Sequence, residues 1–154
     1  MSRVQLALNV NDLSAAIEFY TKLFGASPAK VREGYANFAI AEPPLKLVLI
    51  ENPGQGGTLN HLGVEVENTD LVGEAISRLQ AEGLDTEIEE QTTCCFAVQD
   101  KVWIEGGELP WEWYTVLEDA PEDTSLVRIG SKPAAAGLVT VEAGGSCCGP
   151  ETCC

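Results

Sequence analysis

The chain has 154 residues, 45% of them hydrophobic, and 24 acidic against 9 basic side chains give a net charge of −15. That length suits one domain or two small intimate modules. The charge repels phosphate backbones and excludes nucleic acid as the expected partner, and no apolar stretch is long enough to span a bilayer.

Val4 to Val10 alternates and reads as a strand. Asp12 is a plausible N-cap for a helix from Leu13 to Phe24, whose apolar residues Leu13, Ala16, Ile17, Tyr20 and Phe24 recur at helical spacing, and Gly25 closes it. Three strands follow, around Ala29 to Arg32, Tyr35 to Ala41 and Leu45 to Glu51, with Pro43-Pro44 between the last two. The run Pro53-Gly54-Gln55-Gly56-Gly57 is a turn-rich break without phosphate-loop spacing, and reads as a linker between modules.

After the break the same order returns. Asn60 to Val66 matches the first strand position by position, and Asp70 is expected to cap a second helix with Leu71, Ala75, Ile76 and Leu79 on its apolar face and Gly83 at its end. Strands are expected at Asp85 to Glu90, Cys95 to Val98, Lys101 to Ile104 and Trp111 to Leu117. The fold class is therefore α+β, a βαβββ unit used twice. The modules span about residues 1–52 and 58–118, and two such open sheets would enclose one pocket between them. Whether they pair within one chain or exchange between two, as monomer or homodimer, stays open. From Asp119 to Cys154 the scattered prolines and glycines and Ala134-Ala135-Ala136 give no sustained period, and that segment reads as a flexible tail.

Superposing the halves yields a candidate ligand set. Gln5 and His61 fall at one position of the two first strands, and Val48 and Glu112 at one position of the two last. In a two-fold arrangement these four converge, and three of them carry possible metal donors: Gln5, His61 and Glu112. Alone, a single histidine at a strand start reads as structural; its symmetry partners favour a ligand. Glu112, between Trp111 and Trp113, either faces solvent or is an inward charge that needs a cation.

All six cysteines form adjacent pairs, Cys94-Cys95, Cys147-Cys148 and Cys153-Cys154, where a disulfide framework would space them apart. Neighbouring free thiols make a soft two-sulfur claw for trivalent arsenic, cadmium or zinc. Successive side chains on a regular strand point to opposite faces, so gripping one ion requires Thr92 to Cys95 to be an irregular loop or bulge. Thiols kept reduced, and a start at Met1-Ser2-Arg3 with no apolar leader, point to the cytoplasm. The tail pairs read either as scavengers of thiophilic ions or as part of a dispensable segment.

The doubled βαβββ order resembles the vicinal-oxygen-chelate superfamily of glyoxalase I, extradiol dioxygenases and bleomycin-resistance proteins. Several stretches resemble, more narrowly, the ArsI carbon–arsenic lyases and the cadmium-induced proteins called CadI: Val4-Gln5-Leu6-Ala7-Leu8, Gly34-Tyr35-Ala36-Asn37-Phe38-Ala39-Ile40, Pro44-Leu45-Lys46-Leu47-Val48-Leu49, His61-Leu62-Gly63-Val64-Glu65-Val66, Thr93-Cys94-Cys95 and Gln99-Asp100-Lys101-Val102-Trp103. The likeness covers roughly residues 1–118. It departs at Gly106 to Tyr114, which is shorter before Glu112 and has Trp113 where relatives often carry valine. The resemblance implies a non-haem Fe(II) enzyme that uses dioxygen to split the C–As bond of trivalent organoarsenicals such as methylarsenite. It implies Gln5, His61 and Glu112 as iron ligands and Cys94 and Cys95 as the arsenic-binding, catalytic thiols. The alternative is a non-catalytic cadmium- or metalloid-binding resistance protein, which needs the thiols alone.

Overall fold

The apolar periodicities place the elements where the repeat requires them. The computed structural model describes residues 1–120; the remainder of the expected tail, with its two cysteine pairs, lies outside them. The first module is β1 (Arg3–Val10), α1 (Leu13–Phe24), β2 (Lys30–Arg32), β3 (Tyr35–Ile40) and β4 (Leu45–Glu51). The second is β5 (Leu59–Glu65), α2 (Thr69–Ala81), β6 (Thr86–Cys94), β7 (Ala97–Ile104) and β8 (Trp111–Asp119).

All eight strands join one sheet in the order β2-β3-β4-β1-β5-β8-β7-β6. The order reads the same from either end once the modules are exchanged, and the modules meet within one chain through antiparallel β1 and β5. Each inner strand pairs in parallel with the last strand of its own module, β1 with β4 and β5 with β8. Both helices lie on one face of this curled half-barrel. Ala16, Ile17, Tyr20 and Phe24 of α1 pack on Phe38, Leu47 and Leu49. Val72, Ala75 and Leu79 of α2 pack with Val102, Val64 and Trp113. The alternate residues of the same strands face the other way and build the site. Among the described residues no helix is long and apolar enough to cross a membrane.

Several local expectations change, among them the end of β6, which runs to Cys94 where Glu90 was expected. Asp12 caps α1 as expected, its carboxylate accepting from Ala15 N at 2.9 Å. The cap of α2, however, is Asn68, which accepts from Leu71 N at 3.1 Å, and Asp70 stands in the first turn. The two strands expected at Cys95 to Val98 and Lys101 to Ile104 are one, β7. Gln99-Asp100, which lie between the two expected strands, are both buried. Asp100 accepts from Gln91 N at 2.8 Å and from the Thr69 hydroxyl at 2.6 Å, so strand pairing continues past it. Finally, β8 runs on to Asp119, two residues beyond the expected end.

Candidate metal and thiol site

Sheet register alone brings the first donor set together. Gln5 on β1 lies opposite Gly63 on β5, and Gly63 lies opposite Glu112 on β8. His61 precedes Gly63 by two residues and so projects from the same face. Gln5 Nε2 is 2.6 Å from Glu112 Oε1 and 3.1 Å from His61 Nε2, and the last two atoms are 3.4 Å apart. All three side chains are buried. Val48, the fourth position of the repeat, lies opposite Ala7 in the apolar wall made with Tyr35, Ile50 and Phe96.

A second layer fixes which atom each donor presents. The ring Nδ1 of His61 is 2.8 Å from the Asn60 side-chain oxygen, which favours Nδ1–H and leaves Nε2 facing the cluster. The His61 ring also meets Trp103 edge-on at 5.5 Å. Glu112 Oε2 accepts from the buried Lys101 ammonium at 3.1 Å, so Oε1 is the oxygen facing Gln5 and His61. Gln5 Oε1 accepts from the Tyr114 hydroxyl. Burial pushes the Glu112 carboxyl up, but Lys101 and then His61 outweigh it and hold the group down at about 2. Burial likewise pulls Lys101 down, and Glu112 and the two thiols reverse the sign and raise it.

The thiols reach this cluster from the far edge of the sheet. Cys94 ends β6, still paired with Ala97, while Cys95 and Phe96 form the hairpin tip with φ of 54° and 62°. Positive φ at both tip residues is the mirror-image turn that suits strand twist, although neither residue is glycine or asparagine. It swings Cys95 out of strand alternation, and the two Sγ atoms stand 3.1 Å apart as free thiols. The irregularity expected at Thr92 to Cys95 is therefore this turn plus a register shift between Glu89 and Thr92, while Thr92 and Thr93 stay paired. The Phe96 ring rests on Tyr35 at 5.4 Å, and its carbonyl accepts from Lys30 Nζ and from Ala120 N, each at 3.0 Å.

The hydrogen bond from Cys95 lowers Cys94, burial opposes it, and Lys101 lowers it further, to about 7. Cys95, which holds the shared proton and is half-buried, is pushed well above the ordinary thiol range. The pair is thus expected to carry one thiolate as pH rises through about 7, the other thiol staying protonated. Peptide-mapped iodoacetamide labelling should show a rate inflection near pH 7 at Cys94 and none at Cys95 below pH 9; equal profiles for both would refute the shared proton.

Residues 3–105 match the family model described as the Glyoxalase/Bleomycin resistance protein/Dioxygenase superfamily. The chain belongs to this superfamily. It is 58% identical over 153 residues to the "Trivalent organoarsenical cleaving enzyme" of Thermomonospora curvata, covering 96% of this chain and 100% of that one. It is 68% identical over 121 residues to the "Cadmium-induced protein CadI" of Mycobacterium tuberculosis (strain ATCC 25618 / H37Rv), covering 78% and 80%. Among solved superfamily-like folds, methylmalonyl-CoA epimerase from Mycobacterium tuberculosis aligns with TM-score 0.55 at 19% identity, over 77% of this chain and 87% of that one. The Mn(II)-bound glyoxalase from Novosphingobium aromaticivorans aligns with TM-score 0.56 at 17% identity, over 81% and 44%.

The donor chemistry of this superfamily member fits a divalent cation. Donors bonded at about 2.1 Å to one ion and at right angles to each other lie about 3 Å apart, close to the 3.4 Å between His61 Nε2 and Glu112 Oε1. No three His, Cys, Asp or Glu side chains among the described residues make such a group; the set reaches three only with the Gln5 amide. Gly63 makes room for it. A Cβ there would lie 3.0 Å from Glu112 Cγ and 3.3 Å from Gln5 Nε2. Gly63→Ala is therefore expected to weaken Co(II) binding about 10- to 100-fold, as displaced ligand supports do, with about 1–3 kcal/mol of overpacking strain. Unchanged affinity in an absorption titration would remove Gly63 from the site. Sequence reasoning missed Gly63, Asn60, Lys101 and Tyr114; a glycine in mid-strand was the one available signal.

Proposed function

We propose that this chain is an enzyme that cleaves the carbon–arsenic bond of trivalent organoarsenicals, with Gln5, His61 and Glu112 holding Fe(II) and Cys94 with Cys95 holding the arsenic. One observation carries the reading. Lys101 lies between the two donor sets: its ammonium bonds Glu112 Oε2 at 3.1 Å, and its charge lowers the Cys94 thiol. Hard nitrogen and oxygen donors and soft sulfur donors thus stand around one buried ammonium, each suited to its own element. The names of the Thermomonospora and mycobacterial relatives, one for organoarsenical cleavage and one for induction by cadmium, support an arsenical or thiophilic ligand.

The residues divide the work. Cys94 and Cys95 bind arsenic through two sulfurs and leave its carbon substituent free to face the iron ligands. Tyr35, Val48, Ile50 and Phe96 keep water from the thiols. The Cys95 hydrogen bond and then Lys101 favour the Cys94 thiolate, and Lys101 holds Glu112 as carboxylate. Iron(II), when bound, supplies the electron transfer to dioxygen that closed-shell side chains lack. The overall reaction balances without a reductant: methylarsenous acid plus dioxygen gives formaldehyde plus arsenous acid. Adjacent thiols that have to stay reduced support a cytoplasmic location.

A sequestering protein would use the thiols and leave the buried Gln5–His61–Glu112 cluster without a task. Anaerobic loading with Fe(II), then exposure to oxygen with methylarsenite, distinguishes the two. Release of arsenite and formaldehyde with oxygen consumption is the expected result. Stoichiometric arsenical uptake with no release would overturn it.

A further inference from the structure

The three candidate donors differ in one respect. An imidazole nitrogen and a carboxylate oxygen are ready to ligate, but an amide has one end that accepts and one that donates. Here Gln5 turns its donating end inward, Nε2 lying 2.6 Å from Glu112 Oε1 and 3.1 Å from His61 Nε2. A cation is bound by the amide oxygen, so ligation requires Gln5 to present Oε1 instead. Turning the amide end for end sends Nε2 to the place where Oε1 now accepts from the Tyr114 hydroxyl. A group that could only donate would be left facing an N–H.

The Tyr114 hydroxyl has an alternative. Its oxygen also lies 3.0 Å from Glu65 Oε2. It can pass its proton's hydrogen bond to Glu65 and accept from Nε2 with a lone pair, with no change of ionisation. Glu65 is a dependable acceptor because Arg3 Nη2 at 3.0 Å and Lys46 Nζ at 3.1 Å hold it as an anion. Burial pushes its carboxyl up, yet Lys46 and Arg3 bring the net shift down. Lys46 also stands over the Tyr114 ring, 4.9 Å from its centre, and the ring is fully buried.

We infer that Tyr114, backed by Glu65, is the positioning pair that lets Gln5 present its carbonyl oxygen to a divalent cation, because the hydroxyl satisfies either orientation of the amide. The inference rests on the metal reading of this site. Neither residue touches the cation or the substrate.

The test is a Co(II) absorption titration of the full-length chain. Wild type is expected to bind one ion with affinity that His61→Ala abolishes. Tyr114→Phe, which keeps the ring, is expected to weaken binding about 10- to 100-fold, while arsenical uptake by the thiols stays unchanged. In a Gln5→Ala background, where no amide remains to be turned, the same change should alter affinity less than about 2-fold, so the two residues couple. Glu65→Gln, which keeps the hydroxyl but removes the anion behind it, should weaken binding in the same direction and decides the matter if Tyr114→Phe does not fold. Wild-type affinity in both variants, or an equal loss with and without Gln5, overturns the inference. Co(II) binding that survives His61→Ala overturns instead the metal reading beneath it.

Discussion

With His61 replaced by alanine, turnover of methylarsenite is expected to fall about 10³-fold or more, on the order of 4 kcal/mol of barrier, while the thiols still take up one arsenical. His61 is the only histidine in the chain and the only nitrogen-ring donor of the set. Its removal leaves an amide and one carboxylate oxygen, already shared with Lys101 across the carboxylate. Two donors of that kind hold a divalent ion poorly. The cysteines lie on a different element, the β6–β7 tip, and keep their 3.1 Å approach without the imidazole. Arsenic retained after gel filtration, set beside arsenite released, separates the two functions. Cleavage at the wild-type rate would show that the iron assignment is wrong.

Cys95→Ser should do the converse. One As–S bond remains at Cys94, and the second, intramolecular bond is lost. A second tethered contact typically adds 10²- to 10⁴-fold in affinity, so arsenical binding is expected to weaken by about that factor in competition with a small dithiol. Co(II) affinity should remain within about 2-fold of wild type, because Cys95 is not among the hard donors. Arsenical affinity equal to wild type would mean that the two sulfurs never act together. Serine keeps the size and the turn, so the left-handed backbone at this position is no worse satisfied than before.

The convergence of Gln5, His61 and Glu112 was legible because each belongs to a repeat, and a two-fold axis carries repeated positions to one place. The value of Val48 was legible for the same reason. Lys101, Tyr114 and Asn60 have no such partner. The roles of Lys101 and Tyr114 depend on which strands become neighbours: Lys101 meets Glu112 only because β7 pairs with β8, and Tyr114 meets Gln5 only across β5; Asn60 meets His61 as its neighbour on β5. Adjacent cysteines announced a break in strand alternation but not its form. Two consecutive left-handed residues of types that seldom adopt that conformation carry no sequence signal. Asp70 was expected to cap α2, but the helix begins earlier behind Asn68 and leaves Asp70 in its first turn.

The Phe96 carbonyl has a consequence for how the chain meets its substrate. It is gripped by Lys30, ahead of β3 at one end of the sheet, and by Ala120, just past β8, while the turn itself hangs from the opposite end. The gripped tip bridges the open side of the half-barrel, and behind it Cys94 and the three hard donors are each 5% exposed or less. On the proposed reading, an arsenical would reach the buried Cys94 sulfur when Phe96 lifts from Tyr35, and the encounter rate would scale with the frequency of that local opening. The same closure keeps bulk solvent from the reacting groups once the turn settles back. Loosening the Lys30 contact would therefore speed entry and, in the same stroke, admit water to a centre that works dry.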